Sequence, residues 1–279
     1  MSATVAGSGA GAGGGAVHSA RPVLENGPAL GLLLLFAYLT KAANSRLEPD
    51  QLLWIAAPTR ALVSVVTGLE FVHEAGYGYV NLDHRLVIAK SCLGMNYLVA
   101  VLGMLAFTTI PTARGPGRKL LLVAPIAAAA YVATVVVNGL RIALGIALHE
   151  SPLSWGWVTP ERLHRGAGIA LYFLALVTIQ ALARRIVPGA TARRPPGAGF
   201  AASPLLWYGL VAVALPLANG ALFESPGRFL EHGAWVLALA LLLAAFLHAA
   251  RPALRAMVRP PPAFRPVRGQ TSGSYSSRC

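Results

Sequence analysis

Acidic residues are scarce in this chain. Only ten Asp and Glu occur among 279 residues, and charged residues of both signs make up 12%. A soluble domain carries about a quarter charged residues, so there is too little polar surface here to cover a water-soluble body. Cysteine is also rare: Cys92 and Cys279 are the two present. Two thiols form at most one disulfide, which excludes a disulfide framework or a cysteine cage for a metal. Cys279 lacks the C-a-a-X context that prenylation requires. The chain has no internal repeat and no H-E-x-x-H element. Residues 1–27 are rich in Gly, Ala and Ser but have no apolar h-region, so they do not read as a signal peptide.

What is abundant is apolar sequence, at 56% of residues with a mean hydropathy of +0.60. The reading is an all-α polytopic bundle in a lipid bilayer. A span needs about 20 apolar residues, and seven runs approach that length: Pro28–Ala43, Leu52–Val72, Ser91–Ile110, Leu120–Leu148, Gly166–Ala183, Leu205–Phe223 and Gly233–Ala250. The first is the shortest, and without it the count is six. Residues 1–27 read as a disordered tail, 28–250 as one transmembrane domain, and 251–279 as a disordered basic tail rich in Pro, Arg and Ser.

The net charge of +13 would point to nucleic acid in a soluble chain. Here the basic residues sit in short connections, where they set topology instead. Connections 41–50, 111–119 and 184–203, with the residues after 250, hold fifteen Lys and Arg; the alternate set holds six. The imbalance places the first set and the C-terminus in the cytoplasm. Segments 73–90, 149–165 and 224–232 then face outward. Cys92 and Cys279 fall on opposite sides, which argues against a mutual bond.

Three polar residues stand out against this apolar background. Cys92 lies near the outer end of the third run, in Ser91-Cys92-Leu93-Gly94-Met95-Asn96, and a continuous helix would put Asn96 on its face. Arg141 lies seven residues before the outer end of the fourth run, roughly 10 Å deep at about 1.5 Å per residue. An intramembrane Arg is costly and usually faces a bundle interior or a wet cavity. Tyr131, Thr134, Asn138 and Arg141 form one stripe at helical spacing. His164 precedes the fifth run, with Gly168 and Tyr172 continuing its face. Each has a plainer explanation: a packed thiol, a snorkelling Arg and an interfacial His. Their common membrane side is what joins them.

Other polar groups are weaker candidates. Arg60, Thr67 and Glu70 share a face of the second run, where Arg60 reads as a charge pairing with a polar group on another helix. His73, Glu74, Asp83 and His84 share one outer loop without a metal-ligand spacing, so neither a metal nor another cofactor is expected. Trp155 and Trp157 suit an interfacial belt.

The order and placement of these residues resemble the exosortase/archaeosortase family of multi-pass membrane enzymes. The resemblance covers about residues 50–185 and rests on three elements: Cys92-Leu93-Gly94, then Asn138 to Arg141 on the following helix, then His164 at the start of the next. It implies a short single-domain cysteine protease or transpeptidase of a bacterial cytoplasmic membrane, its site facing outward. It implies Cys92, Arg141 and His164 as catalytic, with Asn138 and Asn96 in support. The implied partners are exported proteins ending in a short motif, a transmembrane helix and a basic tail, and the implied intermediate is a thioester. Three rival readings come from the residues: a transporter or channel with Arg60, Glu70 and Arg141 along its path, an assembly protein whose charges only pair helices, and a metal-dependent hydrolase.

Overall fold

The structure is a computed structural model, and it describes residues 14–149, 156, 159–187, 198–218 and 221–258. Residues up to 243 form one compact unit, and a second begins at Ala244. The elements are mainly helical. Helix α1 covers Gly14–Arg46, and α2 covers Leu53–Thr67 after a short 3-10 turn, Pro49–Leu52. Helix α3 is Met95–Thr109, α4 Pro116–Leu121, α5 Val123–His149 and α6 Pro160–Ile186. Then come α7 (Ala198–Ala201), and α8 (Pro204–Gly209), which passes through a wider π-type turn into α9 (Leu215–Ala218). Helices α10 (Ala221–Glu224) and α11 (Pro226–Val258) are the last of the described elements.

Among the described residues, four stretches are long and apolar enough to cross a membrane: Lys90–Thr112, Pro116–His149, Pro160–Ile186 and Pro226–Ala250. They mark the chain as a membrane protein. The first is 78% buried within the protein and the other three are 17–28% buried. A helix apolar all round belongs at the centre of a bundle. Accordingly α3 packs against α1, α5, α6 and α8, while α2 packs on α5. Gly103 of α3 lies so close to Trp207 of α8 that a Cβ would sit 2.1 Å from its ring. The outer helices leave Leu174, Leu182, Leu241 and Leu242 exposed, an apolar surface suited to lipid.

The structure departs from the expected seven-run, all-α plan in several places. The run Leu52–Val72 is not one helix: α2 stops at Thr67, and Gly68 follows at φ 75°. That left-handed conformation is open to glycine at little cost, and it closes the helix by a backbone bond to Ser64. The chain then enters a three-stranded antiparallel sheet, β1 (Val72–Glu74), β2 (Gly78–Asn81) and β3 (Leu86–Ile88), in the order β1-β2-β3. The run Leu205–Phe223 is divided among shorter helices. At the N-terminus α1 extends back to Gly14 through sequence expected to be disordered, and at the other end α11 runs to Val258, past the expected boundary at 250. Residues 1–13, Trp155, Trp157 and Cys279 lie outside the described residues.

Candidate functional site

Cys92 is not on a helix. It ends a 3-10 turn, Lys90–Cys92, and Gly94 separates that turn from α3. Gly94 has φ 70°, a region that other residues enter only with strain. The reading that placed Asn96 on a helical face shared with Cys92 therefore does not hold. Asn96 is turned to α1 and accepts a hydrogen bond from Lys41 Nζ at 2.6 Å.

The lack of a side chain at Gly94 has a second effect. A Cβ there would stand 2.8 Å from Cγ of Asn138. The space lets Asn138, fully buried on α5, bring its amide to the cysteine turn. Its Nδ2 donates to the Cys92 carbonyl at 2.6 Å, and its Oδ1 accepts from the Tyr172 hydroxyl at 2.5 Å. One amide thus ties the cysteine turn to α5 and α6.

Helices α5 and α6 meet through a reciprocal arrangement. On α5, Arg141 is followed four residues later by Gly145; on α6, His164 is followed four residues later by Gly168. A Cβ on Gly145 would lie 2.4 Å from Cε1 of His164. A Cβ on Gly168 would lie 3.1 Å from Nε of Arg141. Each glycine makes room for the polar side chain of the other helix, the close approach that small residues allow in membrane bundles. The Arg141 guanidinium lies 5.3 Å from the Tyr172 ring centroid, a cation–π distance.

Cys92, Arg141 and His164 all line one cleft of about 980 Å³, as does Asn96. The thiol is half-buried, and the Ser91 hydroxyl lies 4.0 Å from it. The cleft carries more positive than negative charge, with Lys41, Lys90, Arg141 and Arg165 set against Glu161. Arg165 also pairs with Glu231 of α11 at 3.1 Å.

The polar stripe on α5 divides among neighbours. Tyr131 donates to the Trp54 carbonyl of α2 at 2.6 Å, and Thr134 bonds back to Ala130 of its own helix. Only Asn138 and Arg141 serve the cleft region. Among the described residues Arg60 has no ion-pair partner on another helix; it lies over the Tyr79 ring at 5.2 Å. Neither Arg60 nor Glu70 lines this cleft. His73 pairs with Asp50 at 3.1 Å. Among the described residues no three His, Cys, Asp or Glu are grouped closely enough to hold a metal ion.

Sequence reasoning missed Tyr97 and the contacts of Tyr172. Tyr97 and Tyr172 stack with centroids 4.4 Å apart at the cleft wall. The buried Tyr97 hydroxyl has no hydrogen-bond partner among the described residues. The helical spacing of Tyr172 from His164 was visible in sequence; its bond to Asn138 was not. Comparison of the chain with family profiles, curated proteins and solved structures gives no match in any of the three.

Proposed function

We propose that this chain is a membrane cysteine protease or transpeptidase that resembles the exosortases and archaeosortases. In this reading it removes the C-terminal sorting tail of exported proteins at the outer face of a bacterial cytoplasmic membrane. The observation that carries the reading is the convergence of Cys92, Arg141 and His164 on one cleft, with Asn138 fastening the cysteine turn to the two helices that bear the other residues.

The chemistry follows from the residue types. The Cys92 sulfur attacks the carbonyl carbon of a peptide bond beside the substrate's membrane helix, and its proton passes to His164. The carbonyl electron pair moves onto oxygen, and Arg141 stabilises that oxyanion. One well-aimed donor supplies about 3–4 kcal/mol of such stabilisation in other enzymes. When the carbon–nitrogen bond breaks, His164 returns the proton to the leaving amine. The remaining thioester is released by an amine or by water. Arg141 is not the base, because a guanidinium stays protonated.

The loop charges supply the orientation: the cleft opens outward and the C-terminus is cytoplasmic. Residues 41–50 depart from the charge count, because they are bonded to residues 73–90; in this reading both segments lie outside and the run Leu52–Val72 does not cross.

The test uses an exported protein of the same genome that ends in a motif, an apolar helix and a basic tail, tagged and co-expressed. The wild-type chain is expected to shorten it and to yield a hydroxylamine-sensitive adduct at Cys92. Cys92→Ala should abolish both, and Arg141→Ala should slow processing by about 10²–10³-fold. Full processing by Cys92→Ala would refute the assignment and favour a non-catalytic assembly role.

A further inference from the structure

The cysteine chemistry leaves the small sheet without a task. Beside it runs a groove of about 580 Å³. Asn44, Ser45 and Pro49, from the end of α1 and the turn after it, form one wall; Tyr77, Val87 and Ala89 form the other. The groove is continuous with the Cys92 cleft, since Asn44, Lys90 and Ser91 line both.

Its two walls are fastened to each other. Lys90 Nζ donates to the Leu47 carbonyl at 2.5 Å and to the Ser45 carbonyl at 3.3 Å. The Gly76 backbone N–H donates to the Asp50 carboxylate at 3.1 and 3.2 Å, and His73 lies against the same carboxylate. The groove is therefore formed before any ligand arrives, which lowers the ordering cost of binding. Apart from Lys90 and Ser91, its lining lies outside the candidate membrane spans.

The sheet order leaves one edge of β3 without a strand partner among the described residues. An open edge is a template for an added strand. Val87 of β3 is exposed at 47%, and Tyr77, in the turn before β2, at 69%. Strand β3 leads through Ala89 directly into the Lys90–Cys92 turn.

We infer that this groove receives, in extended form, the stretch of substrate polypeptide immediately N-terminal to the bond cut at Cys92, paired along the open edge of β3. The inference rests on the protease reading above. A segment whose C-terminal end lies at Cys92 runs in the same direction as β3, so the pairing is parallel. The strand is three residues long, enough to hold about three substrate residues at ~3.3 Å each. Alternate substrate side chains then face Val87 and Tyr77, which makes this groove a determinant of the recognised motif.

The experiment uses the full chain in membranes with the tagged tail-bearing protein described above. Val87→Cys is introduced with Cys92→Ser and Cys279→Ser, and single cysteines are placed at successive substrate positions before the cleavage point. Oxidation is expected to give crosslinks at every second position, the period of an extended strand. Crosslinks with no such alternation, or none, would overturn the groove. In the chain that keeps Cys92, Tyr77→Ala and Val87→Lys should lower kcat/KM about tenfold, mainly through KM, equal to about 1.4 kcal/mol. Alkylation of Cys92 by iodoacetamide should stay unchanged in both. Unaltered kcat/KM would also overturn the proposal. Alternating crosslinks without any Cys92 adduct would leave the groove standing and remove the protease reading. Processing with non-alternating crosslinks would do the reverse.

Discussion

At the residue scale the arrangement turns on Asn138. It has no exposed surface, and both ends of its amide are engaged, with the Cys92 carbonyl and the Tyr172 hydroxyl. Removing one partner from such a pair leaves the other unsatisfied, at about 1–3 kcal/mol per buried group. Asn138→Ala should therefore lower Tm markedly in detergent and change the alkylation rate of Cys92, because the cysteine turn loses its tie to α5. Tyr172→Phe keeps the ring beneath Arg141 and removes one bond, so its cost should be about 1 kcal/mol. Thermal unfolding followed by tryptophan fluorescence, with iodoacetamide kinetics alongside, reads both effects. An Asn138→Ala variant as stable as the wild type would deny the amide this role. The stripe containing Asn138 and Arg141 was visible in sequence as a helical spacing. The partners of each were not, because spacing on one helix does not say which neighbour a side chain meets. Tyr131 shows the difference: it shares the stripe, yet bonds to Trp54 on α2.

Elements were legible where hydrophobic length carried the signal, and obscured where backbone chemistry interrupted it. The runs that became α3, α5, α6 and α11 are long and uniformly apolar, and lipid-scale hydropathy is a strong indicator of such helices. The run around α2 has similar composition, but Gly68 ends the helix and residues 69–72 lead into the sheet. Strands of three or four residues give too little alternation to recognise. The glycines at the site were legible only in part. Gly94 was noted as part of the motif with Cys92, and Gly168 as a small residue on the face of His164. The pairing of Gly145 with His164 depends on how α5 and α6 cross. That pairing makes a prediction. Gly145→Ala would bring a Cβ to 2.4 Å from the imidazole. His164 is exposed and can swing away, so the fold should hold while processing falls at least tenfold. Gly94→Ala meets both a positive φ and the buried Asn138, so it should lose stability as well, by about 1–3 kcal/mol. Equal Tm losses for the two variants would show that the α5–α6 contact is as rigid as the cysteine turn.

At the scale of the whole molecule, the open question is how a chain with α3 at its centre sits in a bilayer. Loop charges place residues 41–50 inside and 73–90 outside, but the two segments are bonded to each other: Lys90 donates to the Ser45 and Leu47 carbonyls, and Gly76 to the Asp50 carboxylate. Groups in hydrogen-bond contact lie on one side of a bilayer, so the chain between them returns to the side it left. The length of α2 agrees: it has 15 residues, about 22 Å at ~1.5 Å per residue, against a hydrocarbon core about 30 Å thick. The prediction is that single cysteines at Arg46→Cys and Asp83→Cys, in a chain carrying Cys92→Ser and Cys279→Ser, label on the same side. In intact cells a membrane-impermeant maleimide should modify both, and should reach Gly115→Cys, between α3 and α4, only after permeabilisation. Opposite labelling at positions 46 and 83 would favour the charge count and deny the contact between Lys90 and the end of α1.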